Sequence, residues 1–472
     1  MPAGLRASLA RLVAFALCLL APAGASAAEP EPERPGFKVL RFQEDYAWLR
    51  EFSGPRELLD AIKYIPFDRH GRVYLSLGGE LRSRYEFFEA PGFGFELERD
   101  QFMLGRAQAH ADLHLGRYVR TFAQLSSLGA LGPIEASPLD RNALTVQQGF
   151  VELRAPLAGE RALMLRLGRQ ELVLGSGRLV AIRKGPNFRR SFDMARLDAR
   201  LTRVKLSAFG GVSVRPAPGV FDDRSNTGDA MWGLYAITPL LATPKLRLGL
   251  DSYYLGVRRE GRALQDGEGL ELRHSLGARV YGKLAGLDFN FEGLAQLGSL
   301  GPSSILAWTV ASDTGYRFED AEGIYAARVG LRADVTSGDG RAGDGRIGTF
   351  DALYPNLKYF SESGLIVPSN LLDLHPVLAL EAGPLGLTLD HDIFWRQRRS
   401  DAVYGPPTRV QIAAEASDAR FIGQQLTAEL ELECGRHLSL TGYYAHFFAG
   451  PLVRDAGGRD VDFFGTWAEY TF

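Results

Sequence analysis

From about residue 73 to the C-terminus, apolar and polar residues alternate along the chain. In the first segment, 73 to 87, odd positions such as Leu75 and Leu81 are apolar, whereas even positions carry Glu80 and Arg82. Similar segments begin near residues 103, 119, 163, 287 and 325. Successive side chains of a β-strand point to opposite faces. Each segment is therefore predicted to be a strand with one apolar and one charged face.

The length of these segments separates a membrane barrel from a soluble sheet. Counted between breaks rich in glycine, proline and aspartate, they predict roughly 16 to 18 strands of about 10 to 15 residues, which suits a tilted membrane strand. Strands of soluble proteins usually have about 5 to 6 residues. In lipid, a sheet pairs all its backbone groups only by closing on itself. The predicted fold class is all-β, a transmembrane antiparallel β-barrel of about 18 strands with a short N-terminal periplasmic segment.

The C-terminus and the rest of the chain agree with this fold. The last segment ends on Tyr470 and Phe472 at alternating positions, which is typical of outer-membrane barrel strands and their aromatic girdles. No later apolar stretch approaches about 18 residues, which excludes a helical membrane protein. A periplasmic sandwich or propeller is the soluble alternative. No repeat of about 40 residues supports a propeller, and the apolar face is too rich in alanine, glycine and aromatic residues for a sandwich core.

The N-terminus has the layout of a secretory signal. Arg6 and Arg11 precede an apolar run from 12 to 20, and small residues follow up to Ala27. About nine apolar residues are too few to cross a bilayer core, which needs about 20. A lipoprotein signal around Cys18 is the other alternative. The predicted division is a signal peptide at 1 to 27, a periplasmic segment at 28 to 70 and an outer-membrane barrel at 71 to 472.

Composition narrows the function. The formal net charge of −2 becomes about −4 once the signal and its two arginines are removed, so a nucleic-acid partner is not expected. Only Cys434 would remain, which leaves no internal disulfide. Seven of the 54 basic residues are lysines, and 47 are arginines.

A barrel of this size holds water, and its charged face would line the lumen. Guanidinium groups bind carboxylates in bidentate fashion, so a file of arginines could guide a polyanion. Interleaved acids such as Glu80, Glu152 and Asp198 would prevent tight retention. The alternative is that each arginine only pairs with an acid of the wall. The candidate lumenal arginines are Arg82, Arg84, Arg106, Arg120, Arg154, Arg166, Arg196, Arg200, Arg279, Arg328 and Arg332.

A basic run at 168 to 193 is predicted either to fold into the barrel and narrow the pore, or to form a solvated loop. Its charged residues are Arg169, Arg178, Arg183, Lys184, Arg189, Arg190 and the closing acid Asp193. An inward fold would make this run the most positive part of the pore.

Apparent chemical motifs do not indicate an enzyme, a metal site or a cofactor. On a strand, His110 and His114 would lie about 13 Å apart, too far for one metal. The glycines from Gly338 to Gly343 match a dinucleotide fingerprint, but no helix follows. Calcium binding by the aspartates of that loop stays open. A barrel hydrolase with a dispersed Ser/His/acid set also stays open.

Several strings of the sequence are familiar. The chain resembles the alginate export family of outer-membrane barrels in three stretches. At 38 to 67 it contains KVLRFQEDYAWLRE and LLDAIKYIPF, at 74 to 88 YLSLGGELRSRYEFF, and at 168 to 193 GRQELVLGSGRLVAIRKGPNFRRSFD. It is similar also in TFDALYPNLKYF, SNLLDLHP and the terminal GTWAEYTF. Met194 departs from the family pattern, which tends to have glycine there.

The resemblance implies an 18-stranded barrel whose arginine-rich interior passes an anionic polysaccharide of uronic acids. The expected partners are outer-membrane lipid, this polysaccharide and periplasmic secretion components. A less selective porin for small anions or oligosaccharides is the alternative. The family-like conduit positions are Arg82, Arg84, Arg169, Arg178, Arg183, Lys184, Arg189, Arg190 and Asp193.

Overall fold

Each alternating segment of the sequence forms a β-strand in the computed structural model, which describes residues 34–132, 139–356 and 359–472. The signal predicted at 1 to 27 lies outside these residues. Within them, 18 long strands form one antiparallel sheet. The strands are β1 (Val73–Glu89), β2 (Arg99–Leu115), β3 (Val119–Leu131), β4 (Asn142–Pro156), β5 (Ala162–Gln170), β6 (Phe192–Arg200), β7 (Lys205–Arg215), β8 (Arg224–Ala242), β9 (Leu246–Leu264), β10 (Gly267–Leu284), β11 (Leu287–Leu300), β12 (Ser303–Glu319), β13 (Tyr325–Thr336), β14 (Leu371–Ala382), β15 (Leu385–Arg396), β16 (Phe421–Cys434), β17 (Leu438–Ala449) and β18 (Val461–Thr471).

The sheet closes into a barrel because its first and last strands pair with each other. Leu81 of β1 lies opposite Ala107 of β2 on one side and opposite Tyr470 of β18 on the other. All the remaining pairs of neighbouring strands in the sheet are consecutive in the sequence when only the 18 long strands are counted. The predicted fold class, a closed antiparallel barrel of about 18 strands, is confirmed.

The two faces of the wall are reversed relative to a soluble protein. The Leu81 residue is 51% exposed, whereas its neighbours Glu80 and Arg82 are each 5% exposed. Exposed leucines, valines and aromatic residues recur on the outer face of other strands, among them Leu125, Val329 and Phe464. An apolar outer band with charged residues inside is what lipid requires of a barrel.

The connections differ between the two ends of the barrel. At one end, the turns have two to five residues, as at 285–286 and 157–161. At the other end lie the long connections 171–191, 337–370 and 397–420. In outer-membrane barrels the short turns face the periplasm, so the long loops belong to the outer side.

Short strands and helices lie in the connections between the long strands. The long loops contain the strands Arg346–Ile347, Val403–Gly405 and Arg409–Ile412. Among the residues that the structure describes, no helix is both long enough and apolar enough to cross a membrane. Among the described residues after β1, the short helices include the 3-10 turns Pro91–Gly94 and Ala414–Ala416 and the α-helix Pro451–Asp455.

The N-terminal segment folds against the short-turn end of the barrel. It contains two 3-10 turns, Arg41–Gln43 and Ala47–Arg50, one helical turn, Asp60–Lys63, and a short strand, Ile65–Pro66, that pairs with β1. Arg41 donates hydrogen bonds to the carbonyl oxygens of Gly79 and Phe472, both at 2.9 Å. The segment is thereby attached where the barrel closes. The domain boundary near residue 70 stays a prediction.

Candidate functional site in the barrel interior

Two long loops fold into the barrel and join each other. Val180, in the loop 171–191, forms a parallel bridge with Tyr354 of the loop 337–370. Ala181 donates its amide to the Tyr354 carbonyl at 2.9 Å, and the Tyr354 amide donates to Leu179 at 2.8 Å. Leu179, Val180 and Tyr354 are buried. The inner loop (171–191) and the described parts of the return loop (337–356 and 359–370) together form a partition across the interior.

The N-terminal segment reaches the same partition from the periplasmic end. Phe42 packs in one buried cluster with Phe122 and Phe150 of the wall and with Ile182 of the inner loop. The guanidinium of Arg189 donates to the carbonyl oxygen of Val39 at 2.6 Å. Three segments that are distant in sequence therefore meet inside the barrel.

Glu80 joins the wall to the inner loop. Arg106 donates to Glu80 Oε1 at 2.6 Å, and Arg189 Nη1 lies 3.8 Å from Glu80 Oε2. Arg189 also donates to Glu171 Oε2 at 2.7 Å. Glu171 lies outside the strands, and burial raises the pKa of its carboxyl although Arg189 opposes this. Two of the predicted conduit arginines thus form buried ion pairs.

Glu152, on the inner face of β4, is contacted by three other arginines. Arg154 and Arg166 each approach its carboxylate within 2.5 Å, and Arg120 Nη1 lies at 3.6 Å. Arg120 also donates to Asp112 Oδ2 at 2.6 Å. Such pairing satisfies charges that would be costly to bury alone.

Arg82 and Arg84 lie side by side on β1 but have different partners. Arg82 donates to the carbonyl oxygens of Lys184 at 2.8 Å and Gly185 at 3.1 Å, and so fixes the inner loop to the wall. Arg84 donates to Glu362 Oε2 at 2.9 Å and stacks over the Trp467 ring at 4.6 Å.

Arg169 and Arg178 are also paired. Arg169 donates to Asp193 Oδ1 at 2.8 Å, so this acid does hold the end of the basic run. Arg178 donates to Thr309 Oγ1 at 2.6 Å, and its Nε lies 3.8 Å from Asp334 Oδ2. Arg178 is 3% exposed.

Arg183 and Arg190 differ from the other arginines of the inner loop. Within the described ranges, neither forms an ion pair with a carboxylate. Burial lowers the pKa of Arg183 to about 10, and burial followed by the charge of Arg183 lowers the pKa of Arg190 well below its usual range. The Arg190 guanidinium stacks over the Tyr354 ring at 5.0 Å. Lys184, between them in sequence, is about half exposed, and its Nζ lies 3.9 Å from Glu469.

The interior also contains a cavity of 270 Å³ between the partition and the wall, lined by Arg178 and Tyr359 of the loops and by Glu292, Asp313 and Arg332 of the wall. The remaining candidate arginines pair within the wall, at 2.6 Å for Arg279 with Asp251 and Arg328 with Asp288, 2.9 Å for Arg196 with Asp198, and 3.3 Å for Arg332 with Asp313. Arg200 lies exposed at the end of β6.

Sequence comparison identifies the family of this barrel. The family model described as alginate export matches residues 73–466, which is most of the chain. The chain belongs to the alginate export family. Comparison with curated protein sequences finds no match.

Solved structures with a fold similar to this alginate export barrel include a porin. OccAB1 of Acinetobacter baumannii has a TM-score of 0.55 at 11% identity, with 88% of this chain and 99% of that chain covered. A BenF-like porin from Pseudomonas fluorescens has 0.54 at 9%, covering 84% and 98%. OccK11 of Pseudomonas aeruginosa has 0.51 at 12%, covering 84% and 96%. At these identities the likeness shows the fold alone. Family and fold together make the protein an outer-membrane channel.

The alginate export barrel contains interior groups that the sequence reasoning did not single out. Asp351 of the return loop contacts Arg259, at 3.1 Å, and Arg262. The two arginines lower the pKa of its carboxyl, against the effect of burial. No periodic signal marks this aspartate, because it lies in a long loop rather than on a strand.

A second missed group lies on two adjacent strands. Asp373 and His375 are on the inner face of β14, and Asp390 and Asp392 are on that of β15. Their i, i+2 spacing was the available signal, since it places both members of each pair on the same face of the wall. In the loop that includes Gly338, Asp339 is buried, and burial raises its pKa to about 6.

Proposed function

We propose that this channel exports an anionic polysaccharide such as alginate, and that Arg183 and Arg190 of the inner loop select for anions. The observation that carries the proposal is that these two cations lie in the partition without a carboxylate partner in the described part of the chain. The conduit role of the other candidate arginines is part of the same proposal.

The physical reason is the cost of a buried charge. Moving a cation out of water without a partner is unfavourable, and the lowered pKa of each group reflects this cost. A uronate carboxylate that passes the partition would offset part of the cost through a charge-assisted hydrogen bond. A neutral sugar would not.

The backbone at Arg183 supports this assignment. Its φ angle is +56°, in the left-handed region that costs a non-glycine residue about 1 to 2 kcal/mol. Backbone strain of this kind concentrates at functional sites.

The paired arginines explain why a polymer would not be trapped. Passage requires binding that is strong enough for entry and weak enough for exit. Arg106, Arg120, Arg166 and Arg189 are already neutralised by Glu80, Asp112, Glu152 and Glu171. Only part of the positive charge is then available to the polymer.

Current block in a planar bilayer tests the proposal. Alginate oligomers should block the wild-type channel more strongly than neutral oligosaccharides of equal length, and R183A/R190A should lose most of this difference. The matched control is R161A/R203A, which removes two exposed arginines from short periplasmic turns. Equal block by charged and neutral oligomers in the wild type would instead support a less selective porin.

We also propose that the barrel has no hydrolytic activity and that periplasmic secretion components meet it at its short-turn end. Purified protein incubated with lipids, peptides and polyuronates should release no product. Release that is abolished by substitution of an interior residue would support a barrel hydrolase instead.

A further inference from the structure

Four side chains converge on the inner wall between β14 and β15. Asp373, His375 and Asp392 are 5%, 1% and 0% exposed, and Asp390 is slightly more accessible. Val377 lies opposite Asp390 in the register of the two strands, and Asp373 lies opposite Phe394. The two i, i+2 pairs are therefore adjacent across the strand pair.

The imidazole of His375 lies between carboxylates. Its Nδ1 is 2.5 Å from Asp392 Oδ1, and its Nε2 is 3.1 Å from Asp390 Oδ1. The potential ligand atoms of Asp373, His375 and Asp392 all lie within 4.8 Å of one another. It is the one such group of three or more among the described residues.

Asp373 gives this cluster a carboxylate oxygen that is free to bind a metal ion. Its Oδ1 is buried without a hydrogen-bond partner, and in the described part of the chain its carboxylate forms no ion pair. Its electrostatic neighbours are two acids, Asp392 and Asp334, and two basic side chains, His375 and Arg332. Arg332 is already engaged by Asp313 at 3.3 Å. A buried carboxylate without a partner is costly, and this one faces a histidine and a second carboxylate.

We propose that Asp373, His375 and Asp392 form a binding site for a divalent transition-metal ion such as Zn²⁺. Nδ1 of His375 and one oxygen from each carboxylate would be the ligands, and water would complete a tetrahedral shell. Asp390 would accept the hydrogen bond from Nε2–H, which fixes the tautomer and orients the ring.

The donor set determines the class of metal. Calcium and magnesium prefer oxygen ligands alone, whereas an imidazole combined with carboxylates suits zinc and related ions. Ligands on a tetrahedral zinc ion lie roughly 3.4 Å apart. Nδ1 of His375 and Oδ1 of Asp392, now 2.5 Å apart, would therefore separate by about 1 Å to admit the ion between them. Because Nδ1 must be unprotonated to bind, metal uptake releases any proton held there.

Such an ion would cross-link two neighbouring strands. The site lies a few residues after the return loop, close to the start of β14. The site does not involve Arg183 or Arg190, so a test of metal binding is independent of the proposed export function.

Isothermal titration calorimetry of the full, chelator-treated barrel in detergent with ZnCl₂ tests the site. The wild type should bind one Zn²⁺ per chain, and D373N and H375Q should weaken binding about 10-fold or more. D373N keeps the shape of the side chain. The matched control is H446Q, which should bind like the wild type. Among the described residues, His446 contacts a single carboxylate, that of Asp462, at 2.7 Å.

Two further measurements keep the test decisive if a variant does not fold. Zn²⁺ should raise the thermal unfolding temperature of the wild type, and Co²⁺ should give the visible absorption of a tetrahedral site. Absence of saturable binding to the wild type, or equal binding by wild type, D373N and H375Q, would overturn the proposal.

Discussion

Arg189 and Glu171 form a 2.7 Å ion pair that connects the two ends of the inner loop. Both side chains are almost completely buried, at 2% and 0% exposure. The same guanidinium donates to the carbonyl oxygen of Val39, so the pair also holds the N-terminal segment. One ion pair thus links the inner loop to the segment that enters from the periplasmic end.

Replacing Arg189 by methionine should destabilise this region. Loss of one partner leaves the Glu171 carboxylate buried and uncompensated, which typically costs about 3 to 5 kcal/mol. Urea unfolding in detergent should show the loss, and protease cleavage within 171–191 should become faster.

An exposed ion pair provides the comparison for Arg189. Arg99 and Glu89 approach within 2.9 Å, with side chains 63% and 38% exposed. R99A should change the unfolding free energy by about 1 kcal/mol or less, as exposed pairs usually do. Equal effects of R189M and R99A would show that burial does not strengthen the inner pair.

The strands could be predicted from the sequence because each carries its own evidence. The period of two in β1 is visible without knowledge of its neighbours, and it places Leu81 outward and Arg82 inward. The partners of Arg82 could not be predicted, because the carbonyls of Lys184 and Gly185 come from a loop about 100 residues later, with separations of 102 and 103 positions.

The conformation of the inner loop was harder to predict from the sequence than the strands. Its arginines are visible in the sequence and allowed both an inward fold and a solvated loop. Leu179, Val180 and Ile182 are apolar and buried, and this apolar stretch would have favoured the inward fold over a solvated loop. Arg189 pairs with Glu171, whereas Arg190 has no carboxylate partner among the described residues. This difference depends on the three-dimensional position of Glu171 and Glu80, which spacing does not reveal.

Arg178 should behave differently from the two unpaired arginines of the inner loop. It is packed against the Phe350 and Tyr359 rings, and its removal would leave the buried Asp334 without its nearby cation. R178A should therefore lower the unfolding free energy by about 3 kcal/mol. R183A/R190A should remain near the wild type in the same urea titration. A stable R178A variant would show that its contacts contribute little.

Lys63 should make attachment of the N-terminal segment dependent on pH. Its Nζ has no hydrogen-bond partner among the described residues and lies 4.8 Å from the Tyr46 ring centre. Burial, and then the charge of Arg41, lowers its pKa from 10.5 to about 7. Glu44 raises this pKa, and Arg436 lowers it.

The direction of this pH dependence follows from the number of protons that Lys63 binds in the attached and in the detached segment. Above pH 7 the attached segment holds Lys63 neutral, whereas the detached segment holds it charged up to about pH 10.4. Attachment then releases a proton, so it should strengthen as pH rises, by roughly 10- to 100-fold between pH 7 and pH 9. Chymotrypsin cleavage near Trp48 should slow accordingly. K63M should remove this dependence, and an unchanged pH profile in K63M would assign it to another group.

The charge of Arg183 and Arg190 should be measurable as ion selectivity. Fixed cations at close range favour anions in a pore, so R183A/R190A should shift the reversal potential in a KCl gradient toward cations. At low salt the effect should be largest. At about 1 M salt the screening length falls to about 3 Å, and the wild type and the variant should converge. R161A/R203A removes the same charge outside the partition and should match the wild type at both salt concentrations. A reversal potential unchanged by R183A/R190A at low salt would place the two arginines outside the conduction path, and a shift that persists at 1 M would indicate a change in pore shape rather than in charge.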